Sequence, residues 1–328
     1  MMMEHNQYVK KIVQLNSENN DRYDFHKKAG EIMKVMSQDK VFWAEVFKGN
    51  LTDKGYLKRR WTMYEIPFFY IYENDDFVLK VHLFMPLESR RPDVAASAIH
   101  HHNNYLLTTL AAFGPGYETM LFEKNPSVNP ATKETSLKIS KQFTQQEFIL
   151  HMVDAWEPHV VINPISLSAT IVLWTPDEKR KTDALRSNPV LKFFKIPLLK
   201  IIYLLNLDKK LGIAAKETYQ FYAHKDKFYA VLEDEFFAPT RAQDGPEVDD
   251  YSIQTVYGFM QKIGFDDKDF FKFLKSSPDL PHYYQKWNDM IINGQIIPET
   301  YAKEKINIPD GIMLKEDILR TNKKINNL

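Results

Sequence analysis

The sequence predicts a mainly β protein, a sandwich or barrel with helical segments before and after it. Short β-branched and aromatic runs separated by turn residues fill residues 61–175. Apolar residues recur instead every three or four positions in residues 1–55, and this helical spacing returns after residue 177. With 328 residues, 44% of them hydrophobic, the chain is long enough for one large domain or one domain with substantial additions.

The first 55 or so residues are predicted to be helical. Apolar residues spaced by three or four positions share one side of a helix, which can then pack on a core. Those that follow this spacing are Ile12, Val13, Leu15, Ile32, Met33, Val35, Met36, Phe42, Trp43, Val46 and Phe47. We therefore take residues 1–58 as a helical N-terminal segment.

Residues 59–178 are predicted to form the β domain. A hairpin is expected at residues 64–85, where an aromatic run, an acidic turn and a second strand-like run follow one another. Further strands are expected at residues 98–113, 117–122, 148–153 and 159–175. Turn residues such as Gly114 and Gly116 separate them. Many short strands at this spacing are typical of a sandwich or barrel.

Residues 179–328 are predicted to form a mixed, mostly helical extension that packs on the barrel. Its expected helices cover residues 251–263, 267–274 and 282–292. Residues 191–213 are rich in Leu, Ile and Phe, but their longest uncharged run, 201–207, is too short to span a bilayer. We interpret this stretch as a buried or interfacial helix, with membrane contact as the alternative, and its capping of the barrel mouth is left open.

Charge and composition narrow the classes of partner. Lys plus Arg and Asp plus Glu number 43 each, so no long-range field favours nucleic acid or an anionic membrane. Cysteine is absent, which removes thiolate ligands and fits a reducing compartment. Because residues 1–8 lack the apolar core of a signal peptide, a cytoplasmic location is expected. We expect a small-molecule substrate, no nucleic-acid partner and no stable membrane insertion, with a homodimer through the helical flanks left open.

Five of the ten histidines fall between residues 100 and 159, in the β-rich centre. Alternate residues of a strand share a face, so His100 and His102 are expected to point together and His101 away from them. His159 begins a later strand, after a turn. Three neutral imidazoles suit Fe(II), Zn, Ni, Cu or Mn, with coordination positions left open. The pattern predicts one divalent ion held by His100, His102 and His159.

The spacing of these histidines resembles that of the cupin superfamily. The first cupin motif reads H-x-H, three or four residues, Glu, six residues and Gly, and the second contains H-x-x-x-N. Here His100, His102 and Gly114 match the first motif, and His159 and Asn163 match the second. The resemblance covers about a third of the chain, residues 77–177. It implies a cupin double-stranded β-helix, that is, a jelly-roll barrel.

The Glu position of the first motif holds Leu107, or Leu106 on the shorter spacing. A cupin without this Glu is similar to the three-histidine subgroup, of which the thiol dioxygenases are the best-known members. That similarity implies an Fe(II) enzyme that uses O₂. The Ser-His-Tyr relay of thiol dioxygenases and their carboxylate-binding arginine have no counterpart in residues 168–174 and 65–72. We therefore expect an apolar pocket for an apolar or aromatic small molecule.

Several further residues are predicted to line the pocket or to support the ligands. They are Tyr105, Leu106, Trp156, Asn163 and Trp174. His151 is the predicted acid or base of the pocket, or an alternative ligand, because it lies close to His159 in the sequence. The other histidines, His82 among them, are expected to be ordinary hydrogen-bonded or surface residues.

Three functions stay open on the sequence. The first is a mononuclear non-haem Fe(II) oxygenase or dioxygenase. The second keeps the metal as a Lewis acid for a non-redox isomerase, lyase or hydrolase. The third is a metal-free module that kept the barrel and binds a ligand in it.

Overall fold

The computed structural model describes residues 3–56, 66–74, 76–86, 98–101, 105–176, 219–232, 250–299 and 313–326. The predicted helix at residues 191–213 and the predicted ligand His102 lie outside these ranges. The described chain runs from helices through antiparallel strands and back to helices. The predicted fold class is therefore confirmed.

Three helices precede the sheets: α1 (Gln7–Glu18), α2 (Arg22–Gln38) and α3 (Lys40–Leu51). The side chains of Asn6, Asp21 and Asp39 accept hydrogen bonds from the first backbone amides of these helices. Such N-caps satisfy donors that a helix cannot satisfy itself, so the polar residues decide where each helix begins. Asp39 also ends α2, and two helices therefore meet at one residue.

The strands that follow are short. They are β1 (Phe68–Glu73), β2 (Val78–Phe84), β3 (Leu106–Phe113), β4 (Glu118–Phe122), β5 (Glu134–Thr135), β6 (Ile139–Thr144), β7 (Leu150–Val153), β8 (His159–Ile162), β9 (Ser168–Thr175), β10 (Tyr219–His224) and β11 (Lys227–Leu232). The pairings between them are antiparallel.

Two of the sheets face each other in the strand order of a jelly roll. One sheet has the order β1-β2-β9-β3-β7. The other has the order β6-β4-β8, and His100 adds a further chain segment to it by bridging to His159. Because β9 lies between β2 and β3, strands distant in the sequence become neighbours. The predicted double-stranded β-helix is confirmed by this order.

Side-chain alternation gives the five-stranded sheet two different faces. The outer face joins the helices in the main core through Leu79, Val81, Leu83, Leu110, Ile171 and Leu173. On the inner face Leu107, Val153 and Val172 pack against Leu121 of the opposite sheet. The interior of the barrel is the space between these two inner faces.

The hairpin of β10 and β11 covers the outer face of the smaller sheet. It pairs with β5, and Phe221 exchanges two backbone hydrogen bonds with Ile99, at 2.9 and 2.7 Å. Phe221 and Phe228 enter a second core that contains Met120 and Val160. The hairpin and the smaller sheet therefore share this core.

The described residues after the hairpin are mainly helical. Their helices are α4 (Asp250–Lys262), α5 (Lys268–Ser276), α6 (Gln285–Ile292) and α7 (Lys315–Asn326). The first three agree with the predicted ranges, and α7 adds Ile318 to the second core. No described helix is both long and apolar enough to cross a membrane.

The strand predictions differ from the structure in two ways. Residues 98–113 do not form one strand, because Ile99 and His100 pair with Phe221 and His159, whereas β3 begins at Leu106 in the opposite sheet. Strands β5 and β6 were not predicted at all. Their polar and largely exposed residues lack the apolar alternation by which a strand is recognised from sequence.

Candidate functional site

His100 and His159 lie directly opposite each other at the edge of the smaller sheet. The backbone N–H of each donates to the carbonyl oxygen of the other, with N to O distances of 2.8 and 2.7 Å. Their ring centroids are 4.2 Å apart, and the side chains are 0% and 2% exposed. Two histidines far apart in the sequence thus present their imidazoles at one point of the barrel.

Both rings are oriented in the same way by the backbone that precedes them. Nδ1 of His100 lies 3.1 Å from the carbonyl oxygen of Ala98, and Nδ1 of His159 lies 3.1 Å from that of Glu157. A carbonyl oxygen only accepts, so in the neutral rings Nδ1 carries the proton and Nε2 the lone pair. Metal-binding histidines are commonly held in this manner, with the nitrogen that does not bind the metal donating to a carbonyl.

Burial keeps the His159 ring neutral. It lowers the pKa of His159 to about 4, although the Glu157 carbonyl opposes the decrease and the nearby His101 adds to it. The neutral imidazole is the form that binds a metal cation. At neutral pH His159 therefore needs to lose no proton before it can act as a ligand.

The third predicted ligand, His102, lies outside the described residues. Within the described ranges, no group of three or more His, Cys, Asp or Glu side chains is placed to hold a metal. The donors that are described fit part of such a site, because the Nδ1 contacts place the lone pair of a neutral His100 or His159 ring on Nε2. The three-histidine centre stays a prediction.

Leu107, rather than Leu106, occupies the inner face of β3. Leu107 registers with Trp174, and Leu106 registers with Thr175, whose hydroxyl bonds to a helix on the outer face. The prediction that Leu106 lines the pocket came from the shorter of the two spacings in the cupin motif. The chain changes sheets before β3 begins, so motif spacing alone does not fix which residue of β3 faces inward.

The other predicted pocket residues are placed as follows. Trp174 lies on the inner face of β9, with its ring centroid 6.4 Å from that of Tyr105. Trp156 lies on a turn, at a φ of 59°, with its ring 5.2 Å from the His101 ring. Asn163 follows β8 directly and is buried. Trp156 therefore contacts the histidine that was predicted to point away from the metal.

His151 lies on β7, opposite Thr109 of β3 and on the inner face. Its ring stacks on Phe143, with centroids 4.0 Å apart and planes 8° from parallel. Its Nε2 is buried and has no hydrogen-bond partner among the described residues. Burial and the nearby Lys141 lower the pKa of His151, so the ring is neutral at pH 7. Its role as an acid or base stays a prediction.

Sequence reasoning assigned no role to Lys80 and an ordinary one to His82, yet both lie on the inner face of β2. Nζ of Lys80 lies 4.9, 5.1 and 5.7 Å from the ring centroids of Phe68, Tyr70 and Trp174. His82 is 6% exposed, and its Nε2 has no hydrogen-bond partner in the described part of the chain. Polar residues at alternate positions of an otherwise apolar strand were the signal that could have revealed them.

A hydrogen-bonded network crosses the interior near His82. Gln145 donates from Nε2 to Oγ1 of Thr109 at 2.7 Å, and Thr170 donates to Oε1 of Gln145 at 3.4 Å. Thr170 registers with His82 on the neighbouring strand. Burial raises the pKa of Tyr117, although hydrogen bonds with Thr109 and Gln145 oppose the increase. The interior therefore combines polar side chains with the buried amino group of Lys80.

No protein-family model and no curated protein matches this chain. Solved structures that resemble it include a cupin-2 domain protein, Rru_A2000 from Rhodospirillum rubrum, at 11% identity over 39% of this chain and 75% of that chain, TM-score 0.23. TT1209 from Thermus thermophilus is 13% identical over 36% of this chain and 90% of that chain, TM-score 0.24. DMSP lyase DddQ from Ruegeria pomeroyi is 13% identical over 32% and 40% of the two chains, TM-score 0.22. Because the TM-scores are this low, the evidence for the fold is the strand order of the chain itself.

Proposed function

We propose that this chain is a mononuclear non-haem metal enzyme of the cupin type, in which His100, His102 and His159 hold one divalent ion. The observation that supports it best is the buried pair of His100 and His159, whose rings are 4.2 Å apart. Both rings donate from Nδ1 to a carbonyl, so the lone pair of a neutral ring lies on Nε2, the nitrogen that would bind the cation in this proposal. His102 is the third donor in this proposal because it matches the cupin motif.

Fe(II) is the proposed metal, and Zn, Ni, Mn and Cu are the others that such a donor set accepts. When bound, Fe(II) would supply open coordination positions for substrate and O₂, and on this ground we assign an oxygenase or dioxygenase activity. Leu107 at the motif's Glu position keeps the ligand set uncharged. The apolar cluster of Leu107, Leu121, Val153 and Val172 excludes water from the interior beside it. The proposed substrate is an apolar or aromatic small molecule.

One observation favours a second candidate, a non-redox isomerase, lyase or hydrolase. His151 presents a buried, neutral imidazole on the inner face, and Nε2 has no partner among the described residues. Such a group can take a proton from a bound substrate while a metal acts as a Lewis acid. Turnover under strict exclusion of O₂ would favour this candidate, and O₂ consumption coupled to turnover would favour the oxygenase.

Elemental analysis of protein purified anaerobically tests the metal site. We expect about one iron per chain in the wild type and at least about tenfold less in His100→Gln and His159→Gln, because each substitution removes an imidazole ligand. His101→Gln is the matched control, since it changes a neighbouring histidine outside the proposed ligand set. Circular dichroism shows whether each variant is folded.

Two results would decide against the metal proposal. One is a wild-type protein that holds well under one ion per chain after reconstitution with Fe(II), Zn, Ni, Mn and Cu in turn. The other is unchanged metal content in His100→Gln and His159→Gln. A protein that keeps its metal is then screened for turnover of small aromatic and apolar compounds, with and without O₂.

A further inference from the structure

The inner face of β2 carries a buried lysine, Lys80, that has no role in the metal proposal. Lys80 is 9% exposed, and its Nζ faces the rings of Phe68, Tyr70 and Trp174. Aromatic faces attract an ammonium but do not cancel its charge. No described carboxylate forms an ion pair or hydrogen bond with this Nζ, and Glu73 acts on it only through space. Because burying an unpaired charge is costly, an anion at this position would stabilise it.

His82 shares the same aromatic surroundings. It lies two residues after Lys80 on the same face of β2, with its ring centroid 6.1 Å from those of Phe68 and Trp174. The side chain is more than nine-tenths buried, and its Nε2 has no hydrogen-bond partner in the described ranges. A ligand oxygen atom beside Nε2 could accept the hydrogen bond that this nitrogen does not make to any described residue. An ammonium and an imidazole thus lie beside the same two rings, and together these side chains make a candidate anion pocket.

The strand registers place this pocket at the level of the paired histidines. His159 registers with Leu121 on β4, and Lys80 registers with Val172 on β9. Leu121 and Val172 belong to one apolar cluster, against which Trp174 packs. The pocket on one inner face and the histidine pair on the other therefore border the same part of the interior.

We propose that Lys80 and His82 bind the carboxylate of the substrate, and that the substrate is an apolar or aromatic monocarboxylate. This inference rests on the proposed function and narrows its substrate class. The ammonium of Lys80 balances the charge, and a ring N–H of His82 donates to an oxygen. The aromatic walls pack on the apolar body. They also favour a single negative charge over a phosphate dianion, whose desolvation costs more.

The protonation states agree with this arrangement. Burial lowers the pKa of Lys80, with Glu73 opposing the decrease, and a bound carboxylate would restore the charged form. Burial, and then the charge of Lys80, lower the pKa of His82 to about 3. The His82 ring is therefore neutral at pH 7 and keeps one N–H for a hydrogen bond.

Calorimetric binding of benzoate and of its neutral analogue benzamide to chelator-treated protein tests the pocket. We expect the wild type to bind benzoate at least about tenfold more tightly than benzamide. Lys80→Met keeps the side-chain length and removes the charge, so benzoate should bind at least about tenfold more weakly and benzamide about equally. His82→Phe keeps a ring without nitrogen and should weaken benzoate at least about threefold.

Lys286→Met is the matched control, because Lys286 is an exposed lysine on α6, outside the barrel interior, whose Nζ lies 4.4 Å from the Trp287 ring centroid. It should leave both affinities unchanged. If Lys80→Met does not fold, Lys80→Gln takes its place. Failure of the wild type to prefer benzoate would overturn the inference, and so would unchanged benzoate affinity in the Lys80 variant or in His82→Phe.

The two proposals fail separately, because benzoate binding is measured without metal. A wild type that binds iron but does not prefer benzoate would remove the carboxylate pocket and leave the metal site. A wild type that prefers benzoate but holds no metal would remove the proposed enzyme function and leave an anion-binding pocket.

Discussion

His26 shows what burial does to a histidine in this protein. It lies on α2 and is fully buried, with Nδ1 2.6 Å from Oγ1 of Thr108 and Nε2 2.8 Å from Oγ1 of Thr175. These hydrogen bonds connect α2 to the outer face of β3 and β9. Burial, with a smaller contribution from Arg22, lowers the pKa of His26 to about 3, so the ring is neutral at pH 7.

The stability of the fold should therefore fall with acid partly through His26. The unfolded chain binds a proton at this residue below about pH 6.5, while the folded chain does so only near its lowered pKa. The neutral His26 ring makes its full contribution to the free energy of unfolding above the pKa of the unfolded chain. That contribution is lost as the pH falls, by up to about 1.4 kcal/mol per pH unit. His26→Gln removes the titrating group, so the unfolding free energy should depend less steeply on pH between about pH 6 and pH 4.

Urea unfolding at several pH values measures this slope for His26→Gln and for the wild type. His5→Gln serves as the control, since His5 is exposed and lies outside the helices and strands, so its substitution should leave the slope as it is. Equal slopes for His26→Gln and the wild type would show that His26 does not carry the acid sensitivity.

At the scale of elements, Gly114 decides how closely β3 can approach the start of β9. Its φ is 81°, in the left-handed region that favours glycine. A Cβ built there would lie 2.3 Å from the carbonyl oxygen of Leu167 and 2.8 Å from Oγ of Ser168. Gly264 has the same φ of 81°, but a Cβ there meets nothing within 4 Å. Substitutions at the two glycines can therefore be compared to separate the cost of backbone strain from the cost of steric overlap.

Gly264→Ala is expected to cost about 1 kcal/mol of unfolding free energy, the strain of the left-handed backbone alone. Gly114→Ala should cost about 1–3 kcal/mol more, because β3 and β9 must move apart. Urea unfolding of both variants measures the difference. Equal losses would mean that the close approach at Gly114 does not contribute to stability.

Over the whole molecule, two cores on opposite outer faces support the barrel. The main core joins the helices to the five-stranded sheet, and the second joins the smaller sheet to the hairpin and α7. The hairpin also holds Ile99, the residue before His100, through its two hydrogen bonds with Phe221. A C-terminal part of the chain thus supports the segment that carries a predicted ligand.

Phe228→Ala should destabilise the protein by about 3–5 kcal/mol, because it leaves a cavity in the second core. Phe273→Ala is the matched control: Phe273 is 53% exposed, and its loss should cost under about 1 kcal/mol. Thermal and urea unfolding compare the two. Similar losses for both variants would contradict a stabilising second core.

Much of the fold and one part of the site could be predicted from the sequence. Periodicity predicted the helices on both sides and most strands, since helical and extended chains repeat at different intervals. The cupin motif suggested that His100 and His159 meet, and in the structure they pair directly. Periodicity failed at β5 and β6, because half-exposed polar strands have no clear apolar period.

The sequence by itself determined the local elements and the residue types available for chemistry. Only the tertiary structure decided which faces turn inward. It placed Leu107, and not the predicted Leu106, on the inner face of β3. It also placed Lys80 and His82 beside the rings of Phe68 on β1 and Trp174 on β9. The physical reason is that strand alternation is local, whereas the face that becomes the interior depends on pairing between strands distant in the chain.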